Sequence, residues 1–294
     1  MARDRSDGLT AYSAGKSGQR TSGSSTKIEL DLLFMVGVRE TILAVQLRAR
    51  DYRLSTWFRE SGDELLLFLH GLGCSKENWR QAWGVRELRD NSLLAVDFLG
   101  FGHSPRPAQF GFKLEDQAAV LAAVIDAHAL KRIHLVAHSM GGTIALLLPA
   151  RILSRLGSLI LVEPRLVNSS CGIAAEAVKY RYEEFTSGAF TWIQRRISND
   201  QQVAYDLKRA DQAAFYHSSC SLVDWTRGRV MLDRFEAAPC RKVFIYGAEN
   251  RHLEELAEIP SDLKIEIGHS GHFVMRDNPD DFYRQLAAFI AAAQ

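Results

Sequence analysis

The stretch Leu130–Thr143, LKRIHLVAHSMGGT, constrains this chain more than any other. Ile133, Leu135 and Val136 form a short apolar run that leads into Ala137-His138-Ser139-Met140-Gly141-Gly142, and an apolar run of helical character follows. A buried strand that turns sharply into a helix leaves one side chain, Ser139, projecting from the turn. The next backbone amides then face whatever that side chain attacks. Ser139 is therefore read as a nucleophile, and the duller alternative is a helix cap.

Comparable apolar runs recur at Leu65–Leu69, Leu93–Val96, Leu159–Val162, Val243–Tyr246 and Leu263–Ile267. Short uninterrupted runs of this kind mark strands covered on both faces. Between them, helices are predicted over Trp79–Leu88, with both tryptophans on one face, and over Leu114–Ala127, with Ala118, Leu121, Ala122 and Ile125 at helical spacing. Two more are predicted from Gly141 to about Leu153 and over Pro279–Ala293, where the proline stands at the start. The alternation predicts an α/β fold, a mostly parallel sheet with helices on both faces. Partial alternation over Thr41–Phe58 suits antiparallel strands at the sheet edge.

The rhythm breaks from 165 to 238, a charged, aromatic, helix-forming segment. About 70 residues exceed an ordinary connection. They are expected to form a helical cap over the strand ends, where open α/β sheets bind ligands. The core is then read in two parts, 27–164 and 239–294. Residues 1–26, rich in Ser, Gly, Arg and Lys, are read as a flexible tail. Ile28–Val38 is apolar and fits a short helix or an extended lead-in equally.

A net charge of +1 gives no electrostatic case for nucleic acid as a partner. No apolar run approaches the ~18 residues of a membrane span, and the N-terminus lacks the apolar region of a secretory signal. Cys74, Cys171, Cys220 and Cys240 are too scattered for a disulfide framework, so a reduced, cytoplasmic setting is expected. Without a CxxC or HExxH pattern, neither a metal nor a cofactor is implied. The expected partner is a small molecule, bound by a monomer or homodimer.

Four motifs carry a resemblance: HGLG at 70–73, DFLGFGHSPRP at 97–107, AHSMGG at 137–142 and GHFVMRDNPDDF at 271–282. In this order and spacing, over roughly residues 40–294, the chain resembles the α/β-hydrolase superfamily, and within it a capped, serine esterase-like member. The resemblance implies Ser139 as nucleophile, with Ala137 where the elbow usually has glycine. It implies His272 as base rather than the nearby His269. The oxyanion hole would be the backbone amides of Leu72 and Met140. Asp97, Gly100, Gly102 and Ser104 match a turn that shapes the floor of the site, and His70 is read as structural.

The third catalytic member departs from the common pattern. The superfamily most often places an aspartate after the penultimate strand, but Gly247-Ala248-Glu249-Asn250 puts an asparagine there. Glu163, closing the run LILVE, resembles the arrangement of haloalkane dehalogenases, in which a glutamate at that strand end orients the histidine. Ends of neighbouring parallel strands lie about 5 Å apart, within reach of a glutamate. Glu249 is a second candidate, and Asp277 or no acid at all remain open.

Dehalogenases and epoxide hydrolases of this fold use an aspartate nucleophile, which Ser139 speaks against. A serine makes an acyl-enzyme, so hydrolysis of a carboxylic ester, or of a thioester, lactone or amide, is expected. Acyl transfer, C–C bond hydrolysis, a lyase reaction and a non-catalytic binding role are the alternatives. Trp79, Phe101 and Phe273 are expected to line the mouth, with Met140 and the cap aromatics Phe190, Trp192, Tyr216 and Trp225. The cap cations, among them Lys179, Arg195, Arg209, Arg227 and Arg229, are read mainly as a solvated helix face, the alternative being that one of them meets an anionic substrate.

Overall fold

The computed structural model describes residues 38–128, 131–197 and 200–292. The expectations for residues 1–26, and all but the last residue of Ile28–Val38, lie outside them. Eight strands form one sheet: β1 (Arg39–Leu47), β2 (Arg50–Arg59), β3 (Glu64–Leu69), β4 (Ser92–Val96), β5 (Arg132–His138), β6 (Ser158–Val162), β7 (Lys242–Gly247) and β8 (Lys264–Ile267). Their order is β1-β2-β4-β3-β5-β6-β7-β8. The pairs β1–β2 and β2–β4 are antiparallel, and every pair beyond them is parallel. Arg48 and Ala49 join β1 to β2 with φ of 50° and 60°, the left-handed pair that a tight hairpin requires.

Successive side chains on a strand point to opposite faces, and here both faces are covered. Leu67, Leu135 and Leu161 belong to one apolar core, with Ile144 and Phe215 from the helices. Leu66, Phe68, Val136 and Ile160 belong to the other, with Trp79, Trp83 and Phe282. This double covering is why the strands read as continuous apolar runs rather than alternating ones.

Two helices differ from their sequence expectation. The segment after Ser75 is not one α-helix but two tighter 3₁₀ pieces, Lys76–Gly84 and Arg86–Leu88. It is tethered on several sides: Lys76 Nζ bonds Asp97 at 2.8 Å, Asn78 bonds Asp206 at 2.9 Å, and Trp79 packs on Phe68. The helix after Ser139 stops at Leu146 and resumes as Ala150–Leu153. Pro149 breaks it, having no N–H to donate and disfavouring helical geometry at Leu148. Leu114–Ala127 is a helix as expected, and the last helix runs Pro279–Ala291 with the proline in its first turn.

Between β6 and β7 the chain is helical and lies on the core. The methylene positions that Gly73 and Gly100 lack are occupied by neighbours: Leu207 and Phe215 crowd the first within 2.9 Å, and Ala214 comes within 2.3 Å of the second. Asp206 accepts hydrogen bonds from Ser75, Asn78 and Gln202, and Asp200 pairs with Arg276. Among the described residues no helix is long and apolar enough to cross a membrane.

Candidate active site

Ser139 stands between β5 and the helix Met140–Leu146 with φ 52° and ψ −121°. This conformation is almost confined to glycine and costs about 1–3 kcal/mol, so surrounding structure must hold it. Its N–H bonds the Val162 carbonyl at the end of β6, and its carbonyl receives the Gly142 N–H, each at 2.9 Å. The two glycines after Met140 have distinct reasons. A Cβ on Gly141 would lie 2.7 Å from the His70 carbonyl oxygen, and one on Gly142 would lie 2.7 Å from Pro164 Cβ. Each lets one strand-end loop close on the start of the helix. Ala137, fully buried in β5, pairs with Leu69.

The HGLG loop lies against the serine. A Cβ on Gly71 would meet Ser139 Cβ at 3.0 Å, so any side chain there would crowd the serine. His70 braces the loop: its Nδ1 bonds the Gly71 carbonyl at 2.8 Å and its Nε2 receives the Phe98 N–H at 3.0 Å. Burial pushes its pKa down, which suits a neutral ring that donates through Nδ1. Leu72 is half-buried in this loop and Met140 is fully buried at the helix start. Below them Asp97 is completely buried, bonded to Lys76 Nζ and to the backbone N–H groups of Lys76 and His103. A Cβ on Gly102 would strike the Asp97 carboxylate.

His272 sits in the loop after β8. Its carbonyl accepts from Nε2 of the buried His138, the residue before the serine, at 2.9 Å. His272 Nδ1 lies 3.4 Å from Glu163 Oε2, an ion-pair distance rather than a tight hydrogen bond. Glu163 directly follows β6 with φ 47° and is fully buried. Its other oxygen, Oε1, accepts the Gly247 N–H at 2.8 Å. The asparagine at the usual acid position is a polar neighbour of the glutamate that favours its charged form. Burial raises the Glu163 pKa, opposed by Arg165, Gly247 and Asn250.

The other candidates lie apart from this contact. Glu249 is exposed, its N–H bonded to the Ser270 carbonyl. Asp277 accepts the Gly271 N–H at 2.9 Å. His269 is exposed, with φ 52°.

The mouth differs from expectation. Trp79 is fully buried against Phe68 and Phe282, so it is a core residue and not a wall of the mouth. Phe101 is fully buried against His70. Phe273 has exposed surface, with its ring 5.2 Å from those of His272 and His138. Phe190 packs with Phe185 and Phe215 in the cap's own core, joined by Tyr216, while Trp192 is exposed. Phe190 and Tyr216 are thus consumed in holding the cap together, and Trp192 is not.

Arg165 was not singled out by the sequence. It follows Glu163 by two residues, and its Nη2 lies 3.1 Å from Nδ1 and 3.0 Å from Nε2 of His272. Thr143 Oγ1 donates to its carbonyl at 2.8 Å. Burial first, and then the Arg165 charge, hold the His272 pKa well below 6.5. The available signal was a second charge, in EPR, directly after a buried strand. Among the described residues no cluster of His, Cys, Asp and Glu is poised for a metal.

The model of the Alpha/beta hydrolase family matches residues 66–285. The chain is similar to 2-hydroxy-6-oxo-2,4-heptadienoate hydrolase of Pseudomonas putida, 26% identical over 251 residues, which are 77% of this chain and 89% of that protein. Other curated relatives match more locally. The human mesoderm-specific transcript homolog protein is 33% identical over 84 residues, 28% of this chain and 25% of its own. The chain spans about a quarter of the length of the first curated relatives it matches. Among solved structures, a thermophilic esterase from Thermogutta terrifontis superposes with TM-score 0.67 at 18% identity, covering 87% of this chain and 99% of that one. The haloalkane dehalogenase DatA from Agrobacterium tumefaciens superposes with TM-score 0.68 at 18% identity, covering 89% and 99%. With the sheet order, the serine turn and a family match across most of its length, the chain belongs to the alpha/beta hydrolase family.

Proposed function

We propose that the protein is a serine hydrolase that cleaves a carboxylic ester, or a related thioester, lactone or amide, through an acyl-enzyme on Ser139. The observation that supports this is the strained Ser139 turn after β5 together with the buried Glu163 carboxylate 3.4 Å from His272. His272 takes the Ser139 hydroxyl proton as the oxygen attacks the acyl carbon. The Leu72 and Met140 amides receive the developing oxyanion. His272 then gives the proton to the leaving oxygen, and the alcohol departs. Water enters, yields a proton to His272 and attacks the acyl carbon; the acid leaves as Ser139 regains its proton. Glu163 keeps the imidazole oriented and stabilises its cation, as the acid of a triad does.

A generic activated ester tests the proposal. The wild-type chain is expected to turn it over and to be labelled at Ser139 by a fluorophosphonate, and Ser139→Ala to do neither. Absence of labelling in the wild type would reject the hydrolase. A second reaction, hydrolysis of a C–C bond beside a carbonyl, is favoured by the Pseudomonas putida relative, which is named for an oxo-dienoic acid. Turnover of such acids but not of esters would establish it. A cytoplasmic setting fits four cysteines that all stand free, and light scattering decides between monomer and homodimer.

A further inference from the structure

The mechanism above leaves one charge at the reacting centre without a task. The Arg165 guanidinium is half-buried, with Nη2 about equally close to both nitrogens of His272. Among the described residues no carboxylate oxygen lies within 4.0 Å of it. A neutral imidazole offers one lone pair, whereas a guanidinium carries five donors. A cation this enclosed ordinarily has an anionic partner.

Nearby acids do not supply that partner. Glu163 is engaged with the Gly247 N–H and His272, and feels the Arg165 charge only beyond direct ion-pair distance. Glu255 is fully buried and makes no direct ion pair with Arg165; burial raises its pKa, and the Arg165 charge opposes that rise from a distance. The remaining nearby cation, Arg276, is paired with Asp200. Arg165 is also anchored at its base, since Thr143 holds its carbonyl and Pro164 is seated against Gly142. The same backbone that closes on the nucleophile helix therefore presents this cation to the reaction.

Resting on the serine-hydrolase function, we propose that Arg165 is a carboxylate-binding residue of the acyl site, selecting substrates that carry an acid group close to the scissile carbonyl. Two hydrogen-bond lengths in series span about 6 Å, which places the acid group a few bonds from the carbonyl. Monoesters of short dicarboxylic acids have that spacing. A carboxylate that takes the guanidinium fork forms paired, charge-assisted bonds that the imidazole cannot offer. It also cancels the positive charge beside His272, so the base gains strength when the acidic substrate is bound.

The test compares monoethyl succinate with ethyl butyrate, an acid and a neutral ester of similar length. The wild type is expected to favour the acid ester in kcat/KM. Arg165→Ala should lower that acid-to-neutral ratio by about 10- to 100-fold, the loss of a charge-assisted pair. Arg165→Lys should retain part of the preference, and Arg165→Gln, close in shape, serves if the alanine variant does not fold. Equal losses on both esters, or a wild type that favours the neutral one, overturn the subsite and leave Arg165 a packing or positioning residue. Failure of a fluorophosphonate to label Ser139 in the wild type overturns the hydrolase itself and the subsite with it. Labelling together with an unchanged ester ratio overturns the subsite alone.

Discussion

At Glu163 the chain turns through a left-handed φ, and that single conformation brings a carboxylate and a cation to the same imidazole from two residues apart. Ser139, His272 and Glu163 could be picked out of the sequence because each ends a strand or opens a motif of fixed spacing. Arg165 could not, because its place depends on the backbone angle at Glu163 and on a ring that arrives more than a hundred residues later. Asn250 was legible as an exception but not as a polar neighbour of the glutamate. The His272 environment has a consequence for pH. Burial and Arg165 lower its pKa well below 6.5, while Glu163 faces it from β6 and His138 packs beside it. A base must be neutral to accept the serine proton, so a lowered pKa extends activity to lower pH. The acidic limb of kcat/KM for a neutral ester is expected below pH 6.5, and Arg165→Gln should move it upward. A wild-type limb above that value would contradict the arrangement.

Between elements, polar ties fasten the cap to the core, and these were invisible from the sequence because the partners are distant in the chain. Asp206 is nearly fully buried, and burial pushes its pKa from 3.8 up to about 6. The folded state therefore holds this proton more tightly than the unfolded state does. The resulting stabilisation is complete below pH 3.8 and is lost as pH rises through about 6. Compared with Asp206→Asn, which does not titrate, the wild type should lose up to about 3 kcal/mol between acid and neutral pH. Urea midpoints of the two proteins at a series of pH values measure this, and a pH-independent difference would rule it out. Trp79 makes a second case. Its spacing with Trp83 was legible, but the face it served was not, because core and mouth are both apolar. As a core residue, Trp79→Ala should cost about 3–5 kcal/mol in urea unfolding. Unchanged stability with altered ester preference would return it to the mouth.

For the molecule as a whole, the parallel sheet was readable because covering both faces leaves a run of apolar residues in the central strands β3 to β7. The antiparallel edge was readable from its weaker alternation. Helix ends were less so where Pro149 or side-chain tethers intervene, and the cap showed its existence but not its packing, since aromatic residues serve a cap core and a substrate wall alike. What the assembled molecule adds is one centre, built where the ends of β5 and β6 and the loop after β8 meet. The central claim is that the acid orienting His272 comes from the end of β6 and not from the position after β7. The rate of fluorophosphonate labelling at Ser139 in two variants tests it most directly. Glu163→Gln should slow labelling by about 100-fold or more, as loss of a triad carboxylate does. Asn250→Ala, which removes only a neutral polar neighbour of that carboxylate, should slow it by about tenfold or less. Labelling at the wild-type rate in Glu163→Gln, or a greater loss in Asn250→Ala, would contradict the account.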